Sequence, residues 1–195
     1  MSTRPAPPGR ASSARSWAVV SSSVAVLAPP IAWTVAQTHQ PPRYSAARET
    51  ISALAAQGAT DRWIMTTGLI LLGLAHLGTA LALVEIGRVP RMLLALAGLS
   101  TLAVAALPQP AAGHSLAAGI AFAALGSWPV LSPVPSRTCR LTAAVVLFAV
   151  LLWFASQLQE GSSLLGLSER VVVVAEALWP LVVAVGVRAR STRLR

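Results

Sequence analysis

Two ionisable residues stand where hydrocarbon should surround them. Glu176 is set in VVVVAEALWPLVVAVG, residues 171–186, and His76 lies in an apolar block from Trp63 to Val84. Ionisable groups within a membrane are costly, and they mark proton relays, ion paths or ligand sites. A carboxyl group and an imidazole can bind and pass a proton, or hold a small polar ligand between them. With His114, at the edge of another apolar block, they would also supply the three protein ligands of a catalytic zinc. Plainer roles exist for each. His76 could make a helix–helix hydrogen bond, worth roughly 0.6–2 kcal/mol. A lone carboxylate in hydrocarbon disfavours its charge unless a cation meets it, so Glu176 could form an ion pair. Glu85 reads as an interfacial charge near Arg88 or Arg91.

The elements that must position these groups are membrane spans. Of the 195 residues 55% are hydrophobic and 11% charged, against about 25% charged in a soluble globular domain. The apolar residues come in blocks rather than stripes, and a spanning helix needs roughly 20 of them. Six blocks are legible: Trp17–Ala36, Trp63–Val84, Met92–Leu107, Ser115–Val130, Leu141–Ser156 and Val171–Val187. The predicted fold is an all-α integral membrane bundle of six transmembrane helices. Residues 1–15 read as a disordered tail, 16–187 as the membrane domain and 188–195 as a basic tail. Pro29-Pro30 is expected to kink or break the first span near its end. Thr34-Val35-Ala36 loosely fits a small-residue cleavage site, but the block is long for a signal peptide, which favours a retained span.

The net charge of +9 comes with 15 basic residues, all of them arginine. They lie between apolar blocks, so topology rather than nucleic-acid binding accounts for them. With the N-terminus inside, the inner segments hold Arg4, Arg10, Arg15, Arg88, Arg91, Arg137, Arg140, Arg188, Arg190, Arg193 and Arg195. The outer ones hold Arg43, Arg48, Arg62 and Arg170. The positive-inside rule then places both termini in the cytoplasm. Arg188, Arg190, Arg193 and Arg195 can each contribute about 1 kcal/mol toward anionic lipid headgroups. Trp17, Trp33, Trp63, Trp128 and Trp153 fall near block ends, as an aromatic belt requires. The arginine-only, alanine-rich usage suggests a high-GC bacterial genome, hence a cytoplasmic (inner) membrane. Cys139 is the single cysteine and can form no intrachain disulfide.

The first outer loop carries RYSAARETISALAAQGATDRW, residues 43–63. Ser45 as N-cap and Gly58 as terminator predict one short amphipathic helix, with Ala47, Ile51, Leu54 and Ala55 on its apolar face. It would lie on the bilayer surface or plug the bundle, as packing or as a lid. Arg48, Glu49 and Arg62 are its candidate recognition residues, and Arg48 or Arg62 is the expected partner of Glu176. Arg170 falls on another face of the last span. The last outer loop, residues 157–170, echoes the first faintly: Glu160, Ser163 and Leu165 repeat the spacing of Glu49, Ser52 and Leu54. Chance accounts for three matches. Both loops end in an acid–Arg pair, Asp61-Arg62 and Glu169-Arg170.

Depth argues against a shared metal site. At 1.5 Å rise per residue, His76 lies about 20 Å along its helix from Trp63, and Glu176 about 8 Å from Val171. His114 is at the outer edge. Small residues at four-residue spacing predict tight packing by Ala97, Thr101 and Ala105, and by Gly119, Ala123 and Ser127. Thr66, Gly73, His76 and Ala80 predict an inward face on the second span.

Arg48-Glu49-Thr50-Ile51-Ser52-Ala53-Leu54 after a first span resembles the R-x-x-I-S-x-L stretch of domain-of-unknown-function family 998, a set of six-span bacterial membrane proteins. Gly166-Leu167-Ser168-Glu169-Arg170, leading into a last span with Trp179, resembles it too. The resemblance covers residues 17–187 and implies six helices, with no established activity and no catalytic residue to carry over. The expected function is a non-enzymatic bundle that binds a lipid or small ligand, or assembles with a membrane partner or with itself, without cofactor, metal or nucleic acid. A small proton-coupled transporter using Glu176 and His76 is the first alternative. An intramembrane hydrolase or metal enzyme is the second. No H-E-x-x-H or G-x-S-x-G motif supports the second.

Overall fold

A computed structural model describes residues 8–132, 136–158 and 162–193. Arg4, Glu160 and Arg195 lie outside them, as do the side chains of Arg10 and Arg193. The described residues form α1 (Pro8–Thr38), α2 (Ile51–Leu54), α3 (Trp63–Ala82), α4 (Arg88–Ala106), α5 (His114–Leu131), α6 (Arg137–Ser156) and α7 (Leu165–Arg193). A 3-10 turn, Val84–Ile86, joins α3 to α4. All but α2 are long and apolar enough to cross a membrane, which gives six spans. Helices α3 to α7 each pack on the next, and α1 closes the ring against α3 and α7.

Several spans run past their apolar blocks. Helix α1 starts at Pro8, inside the predicted disordered tail, and continues through Pro29-Pro30 without a break. Membrane helices tolerate such prolines because neighbours re-satisfy the freed backbone groups, and Pro29 is fully buried here. Helix α7 begins six residues ahead of Val171, so Glu169 and Arg170 are helical.

The core has two halves. Leu83, Leu94, Trp128 and Val183 pack in the half nearer the termini. Ile51, Leu54, Met65, Leu69 and Val173 pack in the half under the first loop. Ala97, Thr101 and Ala105 are buried on α4 as expected, and so are Gly73, His76 and Ala80 on α3. Gly73 and Gly98 mark a close helix crossing: a Cβ on Gly98 would stand 2.7 Å from the Gly73 carbonyl oxygen. Gly98→Val is therefore expected to lower stability by about 1–3 kcal/mol through overpacking, read as a lower thermal midpoint in detergent. A midpoint equal to the parent's would show that α3 and α4 can part freely.

The stripe of Gly119, Ala123 and Ser127 faces outward and borders a groove against α6, contrary to expectation. Helix α5 buries Ala117, Ala121, Ala124, Leu125 and Trp128 instead. The buried stripe is wider than a small-residue seam because α5 packs mainly on α4. Trp128 is no belt residue either: it is fully buried, and its Nε1 donates to the Pro90 carbonyl at 2.7 Å. Trp17 and Trp63 are exposed, Trp63 at the first position of α3 and Trp17 about three turns into α1, near its N-terminal end. Glu85 pairs with Arg15 at 3.2 Å rather than with Arg88 or Arg91. Arg91 instead donates to the Ala80 and Leu81 carbonyls, capping α3.

Candidate functional site

The first loop is not the single helix its sequence suggests. The chain turns at residues 45–49, where the Arg48 and Glu49 amides donate to the Ser45 carbonyl. Thr50 then adopts an extended conformation and caps α2, its side chain accepting from the Ala53 amide. Helix α2 ends at Leu54, well before Gly58. The interruption has a cause outside the loop. The Glu169 carboxyl accepts the Ile51 amide at 2.6 Å, so a group from α7 takes a donor at the start of α2.

Arg170 completes the junction. Its Nη1 donates to the carbonyls of Ala46, Glu49 and Gly166 at 2.7–2.9 Å, and its Nη2 donates to the Tyr44 hydroxyl at 2.7 Å. The guanidinium also lies over the Trp33 ring, 5.7 Å from its centroid, within cation–π range. The Leu167 amide donates to the Ala47 carbonyl. Gly166 has no room for a side chain, because a Cβ would overlap the carbonyl oxygens of Glu49 and Ala46. Burial pushes the Tyr44 phenol above its ordinary range, with Arg170 acting in the opposite sense. Both acid–Arg pairs of the sequence thus serve this loop. Asp61 accepts from His39 at 2.8 Å, and Arg62 donates to the Ala55 carbonyl at 3.0 Å.

Beneath α2 lies a cavity of about 50 Å³, bounded by α2, α3, α4, α5 and α7. Its polar walls are Ser52, His76, Thr101, Glu169 and Glu176, and the rest are aliphatic or aromatic. His76 and Glu176 are buried, with 0% and 1% of their surfaces exposed. Among the described residues, neither nitrogen of His76 and neither carboxyl oxygen of Glu176 has a hydrogen-bond partner. Buried polar atoms almost always find one. Gly126 on α5 leaves the carboxyl its space, since a Cβ there would approach Glu176 Oε1 to 3.3 Å.

The expected site residues divide accordingly. Glu176 and His76 meet at one cavity, against the expectation from depth. The physical reason is the early start of α7: Glu176 lies about 16 Å along its helix, close to the 20 Å of His76. Arg48 and Arg62 are not partners of Glu176. Arg48 is exposed and lines a surface pocket with Glu49 and Tyr44, while Arg62 is committed to Ala55. Glu49 holds its own turn, accepting the Ser45 amide at 3.0 Å. His114 stands apart from the cavity lining. Its Nδ1 donates to the Leu107 carbonyl at 2.7 Å, bridging the ends of α4 and α5. Among the described residues no three His, Cys, Asp or Glu side chains could hold a metal ion. Nor, among the described residues, does His76 make the helix–helix hydrogen bond expected of it.

Sequence reasoning missed Glu169, Arg170, Ser52 and Thr101. A signal for the first was present: Glu169 and Glu176 are seven apart, nearly two helical turns, which puts them on one face. Reading the span from its first valine hid it.

The sequence matches the family described as "Protein of unknown function (DUF998)" over residues 23–186. The chain belongs to the DUF998 family. No curated protein and no solved structure matches it. The matched DUF998 region contains the whole cavity, the first loop and the Glu169-Arg170 pair.

Proposed function

We propose that this protein is a non-enzymatic membrane bundle that binds a small polar ligand within its interior, at Glu176 and His76, and that the ligand is a proton held with water. The carrying observation is the set of buried, unpartnered polar atoms of these two side chains facing one cavity. Size selects the ligand class. Metabolite-sized ligands occupy roughly 300–1,000 Å³, whereas a water needs only about 10–15 Å³. The cavity's 50 Å³ suits a few waters and a proton, not a lipid chain. A carboxyl group and an imidazole are the groups that exchange protons near neutral pH once their surroundings tune them. With the arginine count placing the termini inside, the cavity sits toward the outer half of a bacterial cytoplasmic membrane.

Infrared difference spectroscopy on the protein in lipid nanodiscs, stepped through pH, tests this reading. A protonated-carboxyl carbonyl band that titrates in the parent and vanishes in Glu176→Gln is the expected result. His76→Gln is expected to move the midpoint of that band. A parent with no titrating carboxyl band, or a band unchanged in Glu176→Gln, would overturn the reading.

A further inference from the structure

The cavity has a roof, and the roof is fastened by a group that also faces the cavity. Ile51 and Ser52 of α2 line it from above, and Glu169 lines it from α7 while accepting the Ile51 amide. We infer that Glu169 is a further ligand-contacting residue of this site and that its carboxyl latches the first loop as the site's lid. A ligand that takes Glu169 as its acceptor releases Ile51, so filling the site and opening it toward the loop face become one event. This inference rests on the proposed internal site and adds its access route.

The geometry gives Glu169 this double position. The groups that face it are Glu176 and His76 across the cavity, the backbone amide of Ile51 above, Arg170 next along α7, and the Tyr44 phenol of the first loop, within electrostatic reach. Arg170 is spent on loop carbonyls and on Tyr44. Its charge stays within reach of Glu169, but its hydrogen bonds go elsewhere. Arg170 therefore acts as the fixed hinge side of the loop. Among the described residues, Glu169 is the one side chain of the junction that both hydrogen-bonds to α2 and lines the cavity. A charge-assisted hydrogen bond is stronger than its neutral counterpart, so neutralising this carboxyl, by a proton or by substitution, loosens the lid at Ile51.

The test places a reporter under the lid. Ser52→Cys, in a Cys139→Ser background so that it is the one thiol, is reacted in liposomes with a membrane-impermeant maleimide applied to the loop face. The parent is expected to react slowly. Glu169→Gln keeps the shape and an acceptor oxygen but removes the charge, and it is expected to react about tenfold faster, the scale of the difference between charged and neutral hydrogen bonds. Gly166→Ala, which pushes on the loop carbonyls without touching the cavity, is expected to react faster as well while keeping the titrating Glu176 band. A Glu169→Gln rate equal to the parent's would overturn the latch, whatever Gly166→Ala does, as would labelling only from the termini face. If rates are equal and the infrared band persists, the latch alone is wrong. If the parent lacks the band, the site itself is wrong.

Discussion

Arg170→Gln is expected to destabilise the protein by about 3 kcal/mol or more, the largest loss of any single polar substitution in this chain. Hydrogen bonds to a charged group contribute roughly 1.5–3 kcal/mol each, and a buried group stripped of its partner adds its desolvation cost. Arg170 donates to three carbonyls and one hydroxyl from a buried position. Glutamine offers one short donor group and reaches at most a part of that set. The contributions will not add in full, because the four acceptors share one guanidinium. Arg170→Lys keeps the charge but not the planar fork, so it is expected to recover less than half of the loss. Arg62→Gln is the internal comparison. It removes one hydrogen bond at a half-buried site, and about 1 kcal/mol is expected. Thermal midpoints in detergent check the order: Arg170→Gln melts lowest, Arg170→Lys next and Arg62→Gln highest of the three. If Arg170→Gln melts with the parent, the loop is held by packing of Ile51 and Leu54 rather than by this arginine.

The number of spans was legible because it depends on block length and hydropathy, which single residues hardly alter. The inward faces of α3 and α4 were legible for a related reason: small residues at helical spacing have no other strong use in hydrocarbon. The same signal failed on α5. Gly119, Ala123 and Ser127 satisfy the spacing, yet Trp128 decides the buried face because its indole reaches the Pro90 carbonyl. The junction between the first loop and α7 was legible only as separate parts. Glu169-Arg170 reads as the polar end of a loop, since charged residues normally close an apolar block. Nothing within the block says that a distant loop will fold over them and supply acceptors to Arg170 and a donor to Glu169. That information is carried by the pairing of two segments more than 115 residues apart. The error in depth for Glu176 follows from it, because a span measured from Val171 starts nearly two turns too late.

Glu176→Leu is expected to stabilise the fold, by about 1–2 kcal/mol, while abolishing proton binding. The sign is the informative part. A carboxyl group whose two oxygens are buried without protein partners is a cost that folding carries, and replacing buried polar groups by apolar ones of similar volume is often neutral or stabilising. Leucine meets Gly126 and the aliphatic wall of the cavity without leaving a donor or acceptor behind. The glutamate at this position would then serve a function at the expense of stability. His76→Leu carries the same expectation, and the pair supplies a cycle. If Glu176 and His76 share a proton or a water, the double substitution departs from the sum of the singles by about 0.5 kcal/mol or more, the usual scale for groups in one network. Additive effects would mean that the two side chains face one cavity without interacting. A thermal midpoint that falls in Glu176→Leu would place the glutamate in a satisfied structural network, and the proton-binding reading would lose its main support.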